Sequence, residues 1–170
     1  MKKVNKFIKT KGINFIELLV GALLVEFIVI FFLFFSREVN GIVRDSKRKQ
    51  QISKIGKIIT NPCFIPNERK ENKEYDLTFI LNRALKEYEV KNNIDGKIKD
   101  PKTGTENLSM YIYKVDKDNK NCVLYSNLES SFLSRKTLNF SKPTPGGGIG
   151  IFKAKNDGWN GSPLYFQYSN

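Results

Sequence analysis

From Ile13 to Phe35 the chain runs for 23 residues with Glu17 and Glu26 as the only charged positions. At about 1.5 Å per residue a helix of that length covers about 35 Å, enough to cross a bilayer. A cleaved secretory signal has a shorter apolar core followed by a small-x-small site. The stretch FFLFFSREVN has none, so the apolar segment is expected to stay with the chain. Beyond Phe35 the pattern turns from continuous to periodic. Val39, Ile42, Val43, Ile52, Ile55 and Ile59 recur at helical spacing, with Arg44, Lys47, Arg48, Lys49, Lys54 and Lys57 among them, until Asn61-Pro62 stops the run. One continuous helix of about 48 residues, on the order of 70 Å long, is predicted.

Downstream, YDLTFILNRALKEYEVKNN offers Asp76 as an N-cap and a stripe of Leu77, Ile80, Leu81, Ala84, Leu85 and Tyr88, which predicts a second, shorter helix. DGKIKDPKTGTEN is rich in turn formers. LSMYIYKV and NCVLYS then flank DKDNK as a hairpin, and further strands are expected at Thr137 to Phe140, Gly150 to Ala154 and Leu164 to Tyr168. Helix first and antiparallel strands afterwards make an α+β domain.

Charge and composition narrow the chemistry. The 170 residues carry 29 Lys and Arg against 17 Asp and Glu, a formal charge of +12. Lys2, Lys3, Lys6, Lys9 and Lys11 precede Gly12, which leaves 24 bases against 17 acids, or +7, in the rest of the chain. Much of the basicity therefore belongs to a leader. With no histidine in the chain, His-dependent triads and the commonest metal ligand are excluded. Cys63 and Cys122 are the only cysteines, too few for a zinc site, and no CxxC is present. Outside the cytoplasm such a pair reads as one disulfide, contributing roughly 4 kcal/mol for a loop of this length on the chain-entropy model. It would tie a strand to the upper end of the long helix.

A short basic leader, then Gly12, Ile13, Asn14, Phe15, Ile16 and Glu17 at the head of an apolar run resembles the prepilin signal of type IV pilins and type II secretion pseudopilins, whose pattern is commonly written G-F-T-L-I-E. The resemblance implies a pilin-like α+β fold: a basic leader at 1–12, a membrane half of the long helix at 13–35, an amphipathic half at 36–61 and a globular head at 62–170. It further implies cleavage between Gly12 and Ile13 by a prepilin peptidase, methylation of the new terminus, and a single-pass protein of the inner membrane with an extracytoplasmic carboxyl-terminal head. Implied partners are other pilin or pseudopilin subunits, membrane lipid and an assembly platform. It also orients the segment, which charge alone does not: the five leader lysines are matched by Arg37, Arg44, Lys47, Arg48 and Lys49 on the other side. Ile13 stands where phenylalanine is usual, the membrane helix has no proline, and the cysteines are not near the carboxyl end. These departures favour a minor pilin or pseudopilin over a principal filament subunit.

In that family the glutamate meets the terminal amine of a neighbouring subunit, so Glu17 is the expected assembly residue. Unpaired in mid-bilayer, each acid would cost about 2.5 to 3.5 kcal/mol. Glu26 lies two and a half turns beyond Glu17 and points to the opposite side of the helix, so a different partner is expected for it, in another subunit or in the assembly machinery. PTPGGGIG lacks the Lys-Ser/Thr pair of a phosphate loop and reads as a flexible turn. DKDNKN has calcium-like acidic spacing, opposed by Lys117 and Lys120, and no metal or cofactor is expected. The basic cluster after Phe35 is expected to be a solvated face or to pack against acidic neighbours, with nucleic acid the weaker alternative. Trp159 and Tyr125 read as packing residues. A structural assembly subunit explains the leader, Glu17 and the long helix together. A filament-tip adhesin or DNA-capturing minor pilin is the alternative, and an enzyme the weakest reading, since no spacing singles out a nucleophile or carboxylate pair.

Overall fold

The structure is a computed structural model and describes residues 14–66, 74–87, 98–130 and 138–170. Gly12, Ile13, Tyr88 and Thr137 lie outside the described residues, as do the side chains of Ala84 and Leu85. Helix α1 spans Phe15–Ile59 and ends two residues ahead of Asn61-Pro62. The chain divides into two compact units, Met1–Val39 and Asn40–Asn170.

In the first unit every large apolar side chain of α1 from Phe15 to Phe35 is exposed. The helix is long and apolar enough to span a membrane, and no part of its apolar window is buried.

The second unit packs the rest of α1 on a sheet. Its six strands are β1 (Glu74–Asp76), β2 (Ile112–Val115), β3 (Cys122–Asn127), β4 (Leu138–Asn139), β5 (Gly150–Lys153) and β6 (Leu164–Ser169), and helix α2 (Leu77–Glu87) follows β1. In space they run β1-β2-β3-β6-β5-β4. All neighbours are antiparallel except the two-residue β4, which pairs parallel to β5. The hairpin around DKDNK forms as expected, with Val115 opposite Cys122. Strand β1 was not anticipated; it is three residues long, below the length at which alternation is readable.

The buried positions of α1 are Gly41, Asp45, Arg48, Ile52, Ile55, Gly56 and Ile59, an unbroken seam at three- and four-residue spacing. Ile52, Ile55 and Ile59 join Leu77, Ile80, Tyr113, Leu124 and Phe166 in the main core. Val39, Ile42 and Val43 were expected on this stripe but are exposed, and their turns of the seam are filled by Gly41, Asp45 and Arg48. The opposite sheet face carries a smaller cluster of Val123, Tyr125, Phe152 and Tyr165. Burial on both faces explains why all six residues of β3 are buried.

Three devices fix the end of α1. The Tyr113 hydroxyl, on β2, is 3.2 Å from the carbonyl oxygen of Ile59 and 2.9 Å from that of Phe64. Cys63 and Cys122 form a disulfide with Cα atoms 5.8 Å apart, joining the post-helix turn to β3. The third is Gly56, whose missing side chain lets Tyr168 of β6 lie directly on the helix; an added Cβ would sit 2.5 Å from Tyr168 Cγ and 2.7 Å from its Cβ. Because those atoms are close to the strand backbone, the ring cannot swing aside. At the other end of the sheet, Asp76 caps α2 by accepting from the Thr78 N–H at 2.8 Å, and the same carboxylate accepts from the N–H groups of Ser109 and Met110 at 3.0 and 2.8 Å. Burial would raise the Asp76 carboxyl, but these donors outweigh it and hold it below its ordinary value.

Alanine at Gly56 would gain about 1 kcal/mol of helix propensity, against about 1 to 3 kcal/mol of overpacking. We expect Gly56→Ala to lower the thermal midpoint of the detergent-solubilised chain followed by circular dichroism. An unchanged or higher midpoint would show that the helix and β6 are not in contact there.

Candidate functional site

Two groups of charged side chains distinguish the molecule, one at the start of α1 and one in the second unit.

At the start, Asn14 and Glu17 stand three residues apart as α1 begins. Glu17 Oε2 accepts from the Asn14 backbone N–H at 3.3 Å, and the Leu18 N–H bonds to the Asn14 carbonyl at 3.2 Å. This is the reach-back half of a capping box, and it sets a carboxylate in the first turn, where the helix dipole favours negative charge. The Asn14-x-x-Glu17 spacing carried that signal in the sequence, where only an intermolecular role was assigned to Glu17. Among the described residues the second oxygen, Oε1, has no partner. Glu26 sits on the exposed apolar surface with no polar partner among the described residues. Gly12 and Ile13, the expected processing site, are outside the described residues.

The second group centres on Arg48, which is fully buried. Its guanidinium donates from Nε and Nη2 to the two oxygens of Asp100 at 2.6 and 3.0 Å, from Nη1 to Asp45 at 2.7 Å, and again from Nη2 to Glu129 at 2.6 Å. Glu129 is also held in a two-point fork by Arg44, at 3.1 and 2.7 Å, and accepts from Lys102 Nζ at 3.0 Å. Three cations thus face three carboxylates, drawn from α1, from the segment before β2 and from the end of β3. Backbone groups satisfy the remaining lone pairs. Asp45 accepts from the N–H groups of Glu129 and Ser130, and Asp100 from those of Lys102 and Thr103. The Trp159 ring lies over the cluster, its centroid 6.0 Å from Arg48 Cζ.

Burial would raise the carboxyl of Glu129, but its hydrogen bonds from Arg44, Arg48 and Lys102 outweigh this and hold it down at about 2. Asp100 is likewise held below its ordinary value, by Arg48 and by the Thr103 and Lys102 N–H groups acting against burial. Groups that stay ionised at neutral pH and whose oxygens are already bonded have neither a proton to give nor a free base to offer. The cluster is a fastening. Sequence reasoning expected part of it, since basic residues packing on acidic neighbours was one reading of the cluster after Phe35; Asp100 and Glu129 were not identified, because pairs separated by 52 and 81 residues leave no spacing signal.

The remaining sequence candidates resolve into turns. Asp116 accepts from the N–H groups of Lys120 and Asn121 at 2.9 and 3.1 Å, closing DKDNK on itself. The PTPGGGIG loop is fastened to β6 through Thr144 N–H to Gln167 and Gly146 N–H to Ser169, so it is a pinned turn where a flexible one was expected. Among the described residues no group of three or more His, Cys, Asp and Glu could hold a metal ion. Tyr125 is buried and Trp159 is 40 % exposed. Comparison with protein families, with curated proteins and with solved structures finds no match.

Removing Arg48 would leave two fully buried carboxylates, Asp45 and Asp100, without a cationic partner among the described residues. Loss of one partner of a buried ion pair typically costs about 3 to 5 kcal/mol, so Arg48→Ala is expected to destabilise the second unit by that order, measured by denaturant unfolding. The pH dependence has a definite sign. Glu129 and Asp100 bind protons more weakly folded than unfolded, so their contribution is complete above the ordinary values of 4.5 and 3.8; that of Glu129 is lost as pH falls toward about 2, and that of Asp100 as pH falls below its ordinary value. The unfolding midpoint should not move on their account between neutral pH and about 5, and should fall steeply below about 4.5. A midpoint indifferent to pH down to about 2.5 would contradict the ionised network.

Proposed function

We propose that the chain is a structural subunit, a minor pilin or pseudopilin, of a type IV pilus or type II secretion-like filament. The observation that carries this reading is the run Gly12-Ile13-Asn14-Phe15-Ile16-Glu17 at the head of an apolar helix that reaches into an α+β domain. Cleavage after Gly12 by a prepilin peptidase leaves an ammonium at Ile13, and methylation retains its charge. Glu17 of an adjoining copy then receives it. Its carboxylate has an oxygen to spare, and a carboxylate and an ammonium together in a low-dielectric setting cost far less than either alone. The protein sits in the inner membrane with its head outside the cytoplasm until it is drawn into the filament, and a disulfide suits that compartment.

One observation favours the alternative of a filament-tip adhesin or DNA-binding minor pilin. A shallow pocket of about 190 Å³ beside Pro143, Thr144 and Pro145 is lined by Lys117 and Lys142, by Lys114, which pairs with Glu74 at 3.4 Å, and by Asp116. Filter binding of the purified chain to duplex DNA, with affinity falling steeply as salt rises, would move the assignment that way.

Mass spectrometry of protein from the native host should find the mature amino terminus at a methylated Ile13. Glu17→Leu should still be cut, yet appear in sheared filaments at roughly a tenth of the parent yield or less. Retention of Met1 in the membrane protein would overturn the assignment.

A further inference from the structure

Within the first unit, the described residues of α1 carry four charged side chains: Glu17, Glu26, Arg37 and Glu38. Glu17 is engaged by the Asn14 N–H in the first turn. Arg37 and Glu38 stand just past the apolar run, and Arg37 is the first exposed base after Glu26. Neither Glu26 nor Arg37 has a polar partner among the described residues. They are 11 residues apart, three turns and about 20°, so both lie on one face of α1. Leu19, Ala22, Ile30 and Leu33 share that face at three- and four-residue steps. Glu17 is on the opposite side, and Glu38 lies about 100° round from Arg37. Along the axis Glu26 and Arg37 are about 16 Å apart, farther than their side chains reach toward each other, so one chain cannot pair them.

We propose that Glu26 of one copy pairs with Arg37 of a second, parallel copy displaced along α1 by three turns, about 16 Å. This rests on the filament reading and names the partner of Glu26 within it. Copies inserted in the same direction at equal depth set Glu26 level with Glu26 and Arg37 level with Arg37, like charge against like. Raising one copy by three turns brings its Glu26 out of the apolar zone to the Arg37 border of the other, and the carboxylate stranded in lipid favours that step. Glu38, at the same border, is solvated by water and has no such need. The displacement also sets Ala22 of the raised copy against Leu33 of the lower one, a small side chain against a large one. Because both charges occupy one face, helices gathered with that face toward a common axis give every copy one neighbour for its Glu26 and another, displaced the opposite way, for its Arg37. Such a heterologous contact propagates without closing. A lone polar pair in an apolar helix seam is also a means of fixing register.

The full chain in its native host provides the test, with cleavage after Gly12 reporting insertion. Glu26→Arg and Arg37→Glu should each reduce sheared-filament yield by roughly tenfold or more through like-charge contact, and the double exchange should restore it to within about threefold of the parent. Glu38→Gln should stay within about twofold of the parent, which separates Glu26 from Glu38 as the partner of Arg37. With the charged residues left in place, the combined Ala22→Cys and Leu33→Cys variant should give a ladder of disulfide-linked multimers on oxidation, because the native cysteines are already paired. Either substitution alone should give no ladder, and if a charge reversal is left uncut the ladder alone decides. Single reversals that are cut and assemble like the parent, a double exchange no better than the singles, as a lipid phosphate on Arg37 would give, or filaments without the ladder would each overturn the pairing. If the methylated Ile13 terminus and filaments persist in that event, the filament reading stands without it. An uncut parent that forms no filament removes both.

Discussion

A guanidinium shut away from water cannot be left to itself, and the second unit is built around satisfying one. Arg48 reaches Asp45 within its own helix, Asp100 before β2 and Glu129 after β3, so one side chain ties three segments distant in sequence. Born costs for ions of this size are of order 20 kcal/mol before relaxation, and only complete bonding offsets them. Here bonding is close to complete. Asp100 is taken in a two-point fork by Arg48 and by two backbone N–H groups, and Glu129 is shared among Arg44, Arg48 and Lys102. Such a cluster adds less net stability than an apolar plug of equal volume would. Its contribution is geometric: a fork fixes the rotation of α1 about its axis, which interchangeable aliphatic contacts do not.

That rotation explains the inverted pattern between Val39 and Arg48. Apolar content alone would turn Ile42 and Val43 inward. The seam is set further along by Ile52, Ile55 and Ile59, and extending its three- and four-residue spacing backwards brings Arg48, Asp45 and Gly41 to the sheet side and leaves Ile42 and Val43 outside. Two aliphatic side chains are then exposed while two charged ones are buried, an arrangement tolerable only because Asp100 and Glu129 are waiting. Between Phe15 and Phe35 the exposed surface of α1 is apolar apart from Glu17 and Glu26.

The elements legible in the sequence were those whose cause is local. The unbroken apolar run gave the membrane-length helix, Asn61-Pro62 bracketed its end, Asp76 marked the start of α2, and DKDNK between two aromatic and β-branched runs marked the β2–β3 hairpin. What could not be read depends on chain distant in sequence. Strand β1 exists because Tyr75 lies opposite Tyr113 across 38 positions, and three residues carry too little alternation to announce it. The Arg48 network escaped for the same reason, and so did the pinning of the Gly146 loop, since nothing in PTPGGGIG indicates that Gln167 and Ser169 will hold it. Glu17 is a different case. Its capping relation to Asn14 is local and was visible, but an intermolecular role had already been assigned to the residue.

The treatment of carboxylates along the chain follows one rule. Where the fold can surround an acid with donors it does so: Asp76, Asp100 and Asp116 each accept from two or more backbone N–H groups, and Glu129 from three basic side chains. In α1 the helix consumes its own N–H groups beyond the first turn, so a side chain there must find donors on other segments, as Asp45 does at the N–H groups of Glu129 and Ser130. Glu17, in the first turn, recovers one from Asn14. Glu26, three turns in, recovers none. Glu26 therefore has no donor among the described residues.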